Sequence, residues 1–209
     1  MATQKVVVEG SSGVTASQLK DLFRQIDDGS IDGSYMQSVL DHCIIPAKPA
    51  DPKKLLRLMS TENVAAIESF KAGDHFKVDT KKAATRIYYL GDNFKKHFGR
   101  KEEGASEAAE IKIHKLLEGS LDAPIITELG PTCEITLGQF FALLSKQGKG
   151  ESGPLLTNGW ANIAYIRDDE DILWAVRADW GQGDGGWDVY TRSVVDPRRW
   201  RAADQVLSR

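Results

Sequence analysis

Cysteine is scarce and poorly placed for a framework. Cys43 and Cys133 stand ninety positions apart, no C-x-x-C occurs, and the four histidines show no paired spacing. This argues against a zinc site or a disulfide scaffold and leaves two reduced thiols in or near a core. Long apolar runs are missing as well: none approaches the roughly 18 residues of a membrane span. The opening MATQKVVVEGSSG has neither the apolar stretch nor the cleavage site of a secretory signal, so a cytoplasmic protein with no membrane partner is expected. The glycine-rich KQGKGESGPLL lacks the residue order of a phosphate loop, and no helix signal follows it. His42 and Cys43 are adjacent, and sequence neighbours on a helix do not face each other, which argues against a nucleophile with its base. No cofactor is expected.

What is present is ordinary for a globular chain of 209 residues, 41% apolar and 27% charged. The net charge of −3 hides two opposed blocks: residues 71–101 carry nine Lys/Arg against three acids, and residues 102–134 carry eight acids against two lysines. The basic block contains Phe70, Phe76, Tyr88, Tyr89, Phe94 and Phe98 within or beside it, but no reading helix or RNA-binding motif, so charge pairing within the molecule is expected rather than a nucleic-acid face.

The chain divides on paper into an N-terminal helical segment (1–46), a linker (47–54) and an α+β domain (55–209). After the run Val6–Val8, TASQLKDLFRQIDDG reads as a helix, with Thr15 and Gln18 as a capping box, Leu19, Leu22, Phe23 and Ile26 as its stripe, and Gly29 as its stop. A second helix is expected from Ser34 to Ile44. AKPADPKK, with its two prolines, reads as a connector. Beyond it, HFKVDT and TRIYYLG look like strands, and DNFKKHFG like a short helix capped by Asp92. In SLDAPIITELGP, Asp122 caps a helical turn or the isoleucines belong to a strand. TLGQFFALLSKQG is a helix with a Thr136/Gln139 capping box.

The last sixty residues alternate. WANIAYIR, ILWAVRADW and WDVYTRSVV are three strands joined by the acidic turn 168–171 and the glycine loop of WGQGDGGWD, predicting an antiparallel β-meander packed on one face by helices. Because a strand follows the glycines, that loop is a turn and not a dinucleotide fingerprint. Closing both hairpins minimally sets Arg167 against Ile172 and Trp180 against Trp187. One face then carries Ala161, Ile163, Tyr165, Trp174, Val176, Ala178, Trp180, Trp187, Val189 and Thr191, and the helix at 136–147 is expected to cover it. The other face lines up Asn162, Arg177 and Tyr190, then Trp160, Asp179 and Asp188, with Arg192 one row on. Two carboxylates opposite each other repel unless a cation, a proton or an arginine compensates. Asn162, Arg177, Asp179, Asp188, Tyr190 and Arg192 are therefore the candidate ligand-binding residues, and Asp179, Asp184 and Asp188 the candidate metal set, the alternative being a solvated face on which Arg177 and Arg192 neutralise the aspartates. A C-terminal helix is expected after Asp196 and Pro197, anchored by Trp200.

LLTNGWANIAYIRDDEDILWAVRADW with GWDVYTRSVVDPRRWRAADQVLSR resembles the C-terminal module of a set of bacterial hypothetical proteins. Their pattern has an N-G-x-A-N-I-x-Y-I-R-D start, a W-D-V strand and a P-x-x-W-x end. FKVDTKKAATRIYYLGDNFKKHF and TLGQFFALLSKQ are similar to upstream parts of the same proteins, so the likeness covers about three quarters of the chain. It implies a bacterial, cytoplasmic α+β protein and brings no catalytic residue.

The leading expectation is a non-catalytic binding or interaction protein whose partner is another protein or a small polar ligand. The alternatives are a metal-dependent hydrolase or transferase using Asp179 and Asp188, and a nucleic-acid accessory protein using residues 71–101.

Overall fold

The computed structural model describes residues 16–32, 34 and 54–209. The chain divides into two units, residues 1–52 and 53–209. The first contributes one described helix, α1 (Ala16–Asp27), followed by Gly29 at φ +75°. Leu22 and Ile26 are half-buried, whereas Phe23 is 61% exposed. Thr15, the Val6–Val8 run, the helix expected to follow Ser34, the pair His42 and Cys43, and the connector up to Lys53 lie outside the described residues.

The second unit is α+β. Seven strands lie side by side in the order β1 (Leu56–Val64), β5 (Ala109–Leu116), β9 (Gln205–Ser208), β6 (Asn162–Arg167), β7 (Leu173–Gly181), β8 (Gly186–Ser193) and β3 (Ile87–Leu90). The β9–β6 and β8–β3 pairs are parallel and the others antiparallel. The short β2 (Phe70–Lys71) and β4 (Glu102–Glu103) pair separately. The helices are α2 (Ala72–His75), α3 (Asp92–Phe98), α4 (Asp122–Leu129) and α5 (Leu137–Lys146).

Helix α5 begins where its sequence says. Thr136 Oγ1 accepts from the Gln139 amide at 3.1 Å, and Gln139 Oε1 accepts from the Thr136 amide at 3.0 Å. The next free amides, of Leu137 and Gly138, donate to the Glu103 carboxylate at 2.9 and 2.8 Å. A carboxylate there meets both the unpaired amides and the positive end of the helix. Leu137, Phe140, Leu143 and Leu144 then bury their side chains in one cluster with Val176, Ala178, Trp180, Trp187 and Val189. Burial of this kind stabilises by roughly 1.5–3 kcal/mol per large side chain.

Each face of the sheet carries a buried cluster. A second cluster, containing Ile125, Ala161, Ile163, Tyr165, Ala175, Trp200 and Val206, occupies the opposite side. Strand β9 shows the consequence most simply: Val206 belongs to one cluster and Leu207 to the other. A strand inside a sheet covered on two sides reads as a continuous apolar run, without alternation.

The structure differs from several expectations. Arg167 pairs with Leu173, not Ile172, because the turn takes five residues: the Asp168 amide donates to the Ile172 carbonyl at 2.9 Å, and Asp171 adopts φ +62°. One extra turn residue slips the register by one and reverses the faces of β6. Asn162, Ala164 and Ile166 consequently share the α5 side, and Ala161, Ile163 and Tyr165 the other. The segment after Asp196 is not a helix. Ala203 turns at φ +79°, and residues 205–208 become β9 between β5 and β6. HFKVDT is not a strand, since His75 ends α2 and residues 76–78 are irregular. The residue at the N-cap of α3 is Gly91, with the Asp92 side chain 93% exposed beside Lys95.

Candidate functional site

The sheet face opposite α5 carries a cleft of about 340 Å³ beside β3, β7 and β8, lined among others by Tyr89, Arg177, Tyr190, Arg192, Arg198 and Trp200. Its floor follows from the β7–β8 register. Ala175 pairs with Arg192, Arg177 with Tyr190, Asp179 with Asp188, and Trp180 with Trp187, closing at Gly181 and Gly186. A four-residue turn with Gly185 at φ +67° makes that closure possible. Alternation along the strands puts Arg177, Asp179, Asp188, Tyr190 and Arg192 on one face.

Both floor arginines lie on rings. The Arg177 guanidinium sits 4.5 Å from the Tyr190 ring centroid and that of Arg192 3.5 Å from Trp200. Such stacking holds a planar cation in one orientation and leaves its edge donors open. Each arginine also meets an acid through a terminal nitrogen: Arg177 to Asp179 at 3.2 Å, and Arg192 to Asp122 at 3.1 Å. The Nε atom of Arg192 is buried and has no hydrogen-bond partner. Arg198 is held by Asp196 through two bonds of 2.9 and 2.8 Å, which keeps the Asp196 carboxyl well below its ordinary range.

Behind the cleft, Asp122 is fully buried at the start of α4 and does not cap it. Its carboxylate accepts from Tyr165 Oη at 2.9 Å, Trp200 Nε1 at 2.6 Å and Arg192 at 3.1 Å. Burial nonetheless raises its pKa above the ordinary value, because desolvation exceeds the help of those donors. This network fixes Trp200, and Trp200 fixes the plane of Arg192.

The acid pair stands one row from the arginines. Asp179 and Asp188 are directly paired, and one oxygen of each, Oδ1, is buried without a partner. Burial first, and then the nearby acids Asp204 and Asp188, push the Asp179 carboxyl up to about 6 against the pull of Arg177 and Arg201. Asp188 is raised as well, by burial and by Asp184.

Among the sequence-derived candidates, the fold brings together Arg177, Asp179, Asp188, Tyr190 and Arg192 on one face. Asn162 is not with them. It is fully buried on the α5 side, where its side chain bonds the Leu156 amide at 2.8 Å and the carbonyls of Leu156 and Ala178 at 2.9 and 3.1 Å. These bonds leave it no free group for a ligand. Asp184 lies in the turn, and no three His, Cys, Asp or Glu side chains converge as a metal site among the described residues. Residues that sequence reasoning missed are Asp122, Trp200, Tyr89 and Arg198 as parts of the cleft. They come from three separate segments, at 89, 122 and 198–200, and no local sequence signal joins them.

The basic block 71–101 is partly neutralised within the molecule. Lys71 pairs with Glu102 at 3.1 Å, Lys77 with Asp74 at 3.7 Å and Lys101 with Asp169 at 3.4 Å. Phe70, Phe76, Phe94 and Phe98 are buried in the core. Cys133 is a buried free thiol whose pKa burial raises, while His97 lies tilted against Trp174, ring centroids 4.0 Å apart, and contacts Asp168 at 3.3 Å. No helix among the described residues is long and apolar enough to cross a membrane. Comparison with protein-family models, with curated proteins and with solved structures finds no match for this chain.

Proposed function

We propose that the protein is a non-catalytic cytoplasmic binding protein, in which the β6–β8 meander, packed by α5 on one side, presents the cleft on its other side to a small polar ligand. The observation that carries this reading is the cleft itself. Its volume of about 340 Å³ falls at the lower end of the range typical of ligand pockets, about 300–1,000 Å³. It has stacked aromatic and guanidinium walls. No side chain in it stands as a nucleophile beside a base, which favours binding over turnover. The burial of Phe76, Phe94 and Phe98 favours a small ligand over nucleic acid, since base stacking needs exposed rings and within residues 71–101 only Tyr88 and Tyr89 offer them. The resemblance to a bacterial family belongs to the same proposal and adds no substrate.

The test is a thermal-shift screen of small polar compounds, charged and uncharged, against wild type and Asn93→Trp. Asn93 is an exposed residue of α3 that lines the cleft, so an indole there occupies ligand space without disturbing the core. A compound that raises the melting temperature of wild type but not of the variant supports the reading. Ligands that stabilise both proteins equally, or a screen without any cleft-dependent ligand, overturn it.

A further inference from the structure

We infer that the ligand group received by the cleft is an oxyanion, and that it enters together with a proton from solvent, which is held between Asp179 and Asp188. This rests on the reading of the cleft as a ligand site and specifies what that site takes and what regulates it.

The oxyanion follows from the arginines. Arg177 pairs with Tyr190, and Arg192 lies two residues further along β8 on the same face, so their Cβ atoms are diagonal neighbours roughly 7–8 Å apart. Ala175, paired with Arg192, is too small to fill the space between the two guanidinium groups. Each guanidinium lies over a ring and engages its acid through one terminal nitrogen. Donors therefore remain on both, since each spends only one terminal nitrogen on its acid. A carboxylate, sulfate or phosphate group accepts from two planar forks at once, whereas a neutral hydroxyl or amide answers only part of that demand.

The proton follows from the acids. Each cleft arginine is backed by a carboxylate: Arg177 by Asp179, Arg192 by Asp122 and Arg198 by Asp196. With these three acids and Asp188 all ionised, four negative charges stand against three positive ones, and an incoming anion gains little. Only Asp179 among the three faces a second carboxylate in register. The charged groups around Asp179 are Arg177 on its own strand, Asp188 on β8, and Arg201 and Asp204 from the segment before β9. Asp204 is itself committed to the amides of Ala161 and Arg201 and to the Arg201 guanidinium. Asp184 and Arg177 act on Asp188. One proton on the pair removes the repulsion between the acids and gives one of the two unpartnered oxygens a donor. The same event removes one negative charge from beside Arg177 and leaves three ionised acids against the three arginines, so an anion is admitted with less repulsion. Anion and proton therefore favour each other's binding by the same factor, as linkage requires.

The experiment is calorimetric titration with inorganic sulfate, and separately with formate, at constant ionic strength from about pH 5 to about pH 8, a range across which linkage to a single proton is readable. Sulfate and formate distinguish a tetrahedral from a planar oxyanion. At least one of them is expected to bind, weakening by up to about tenfold per pH unit above the point where the acid pair loses its proton. Asp179→Asn is expected to bind with no such slope, Asp188→Asn to behave in the same direction, and Arg177→Gln to lose the anion at every pH. Equal affinity at both ends of the range, or an unchanged slope in both aspartate variants, overturns the proton coupling. If neither anion binds while an uncharged compound still does so in an Asn93-dependent way, the oxyanion assignment falls and the binding-protein reading stands. If nothing binds, both fall.

Discussion

Replacing Asp179 by asparagine is expected to stabilise the second unit at neutral and alkaline pH and to leave it unchanged in acid. An Asp whose folded pKa is raised binds its proton more tightly when folded, so its ionisation works against the fold. Below the unfolded value of 3.8 both states are protonated and the residue is neutral to stability. As pH rises through the folded value of about 6 the native state must carry an unfavourable charge. The rise from 3.8 to about 6 corresponds, at about 1.4 kcal/mol per pH unit, to ~3 kcal/mol at pH 8. Little discount for solvent applies, because the side chain is only 18% exposed. The attraction of Arg177 is already contained in that net value. Urea unfolding followed by tryptophan fluorescence suits the question, since all five tryptophans lie between residues 160 and 200. With a urea dependence of about 2 kcal/mol per molar, the midpoint should move up by about 1.5 M at pH 8 and converge with wild type near pH 4. An unaltered or lowered midpoint at pH 8, or a gap of the same size at both pH values, refutes the account of the acid pair.

Other substitutions probe the frame that holds the cleft. Asn162→Ala leaves the Leu156 amide and the Leu156 and Ala178 carbonyls short of partners, and should destabilise by ~2–3 kcal/mol in the same urea assay. Glu103→Gln weakens the anchorage of the first amides of α5 and should lower stability by ~1–2 kcal/mol in the same assay. Gly150→Ala puts a Cβ against the Trp180 ring at a position with φ +78°, and calorimetry should show a clear drop in melting temperature. Trp200→Phe removes the indole N–H from buried Asp122, so it should destabilise by ~1–3 kcal/mol and weaken sulfate binding through loss of the surface under Arg192.

Much of the α+β character was legible in local chemistry, and the register of the second hairpin followed from the glycine loop. Trp180 and Trp187 meet edge to face at 5.3 Å because the loop between them closes as a turn. The Thr136/Gln139 box marked α5 for the same reason: the partners are three residues apart. What failed were decisions made over longer distances. The acidic turn offered no local sign that Asp171 would adopt a left-handed conformation, and that single residue moved Asn162 across the sheet. Residues 205–208 carry helix-compatible signals upstream, yet the slot between β5 and β6 determines their conformation. The cleft lies between these cases. Its floor follows from the hairpin register, whereas Asp122 and Trp200, which complete the back wall, reach it through contacts that no spacing rule anticipates.

The placement of β9 bears on how this sheet assembles. One flank, β1 and β5, comes from residues 56–116 and the other, β6 to β8 with β3 on its outer edge, from residues 162–193 and 87–90, yet the strip that joins them arrives only at residues 205–208. Neither flank has its inner edge satisfied until that strip is inserted. The unit should therefore fold late and slowly for its size, governed by distant pairings. Removing four residues from this strand would unseam the sheet along its middle.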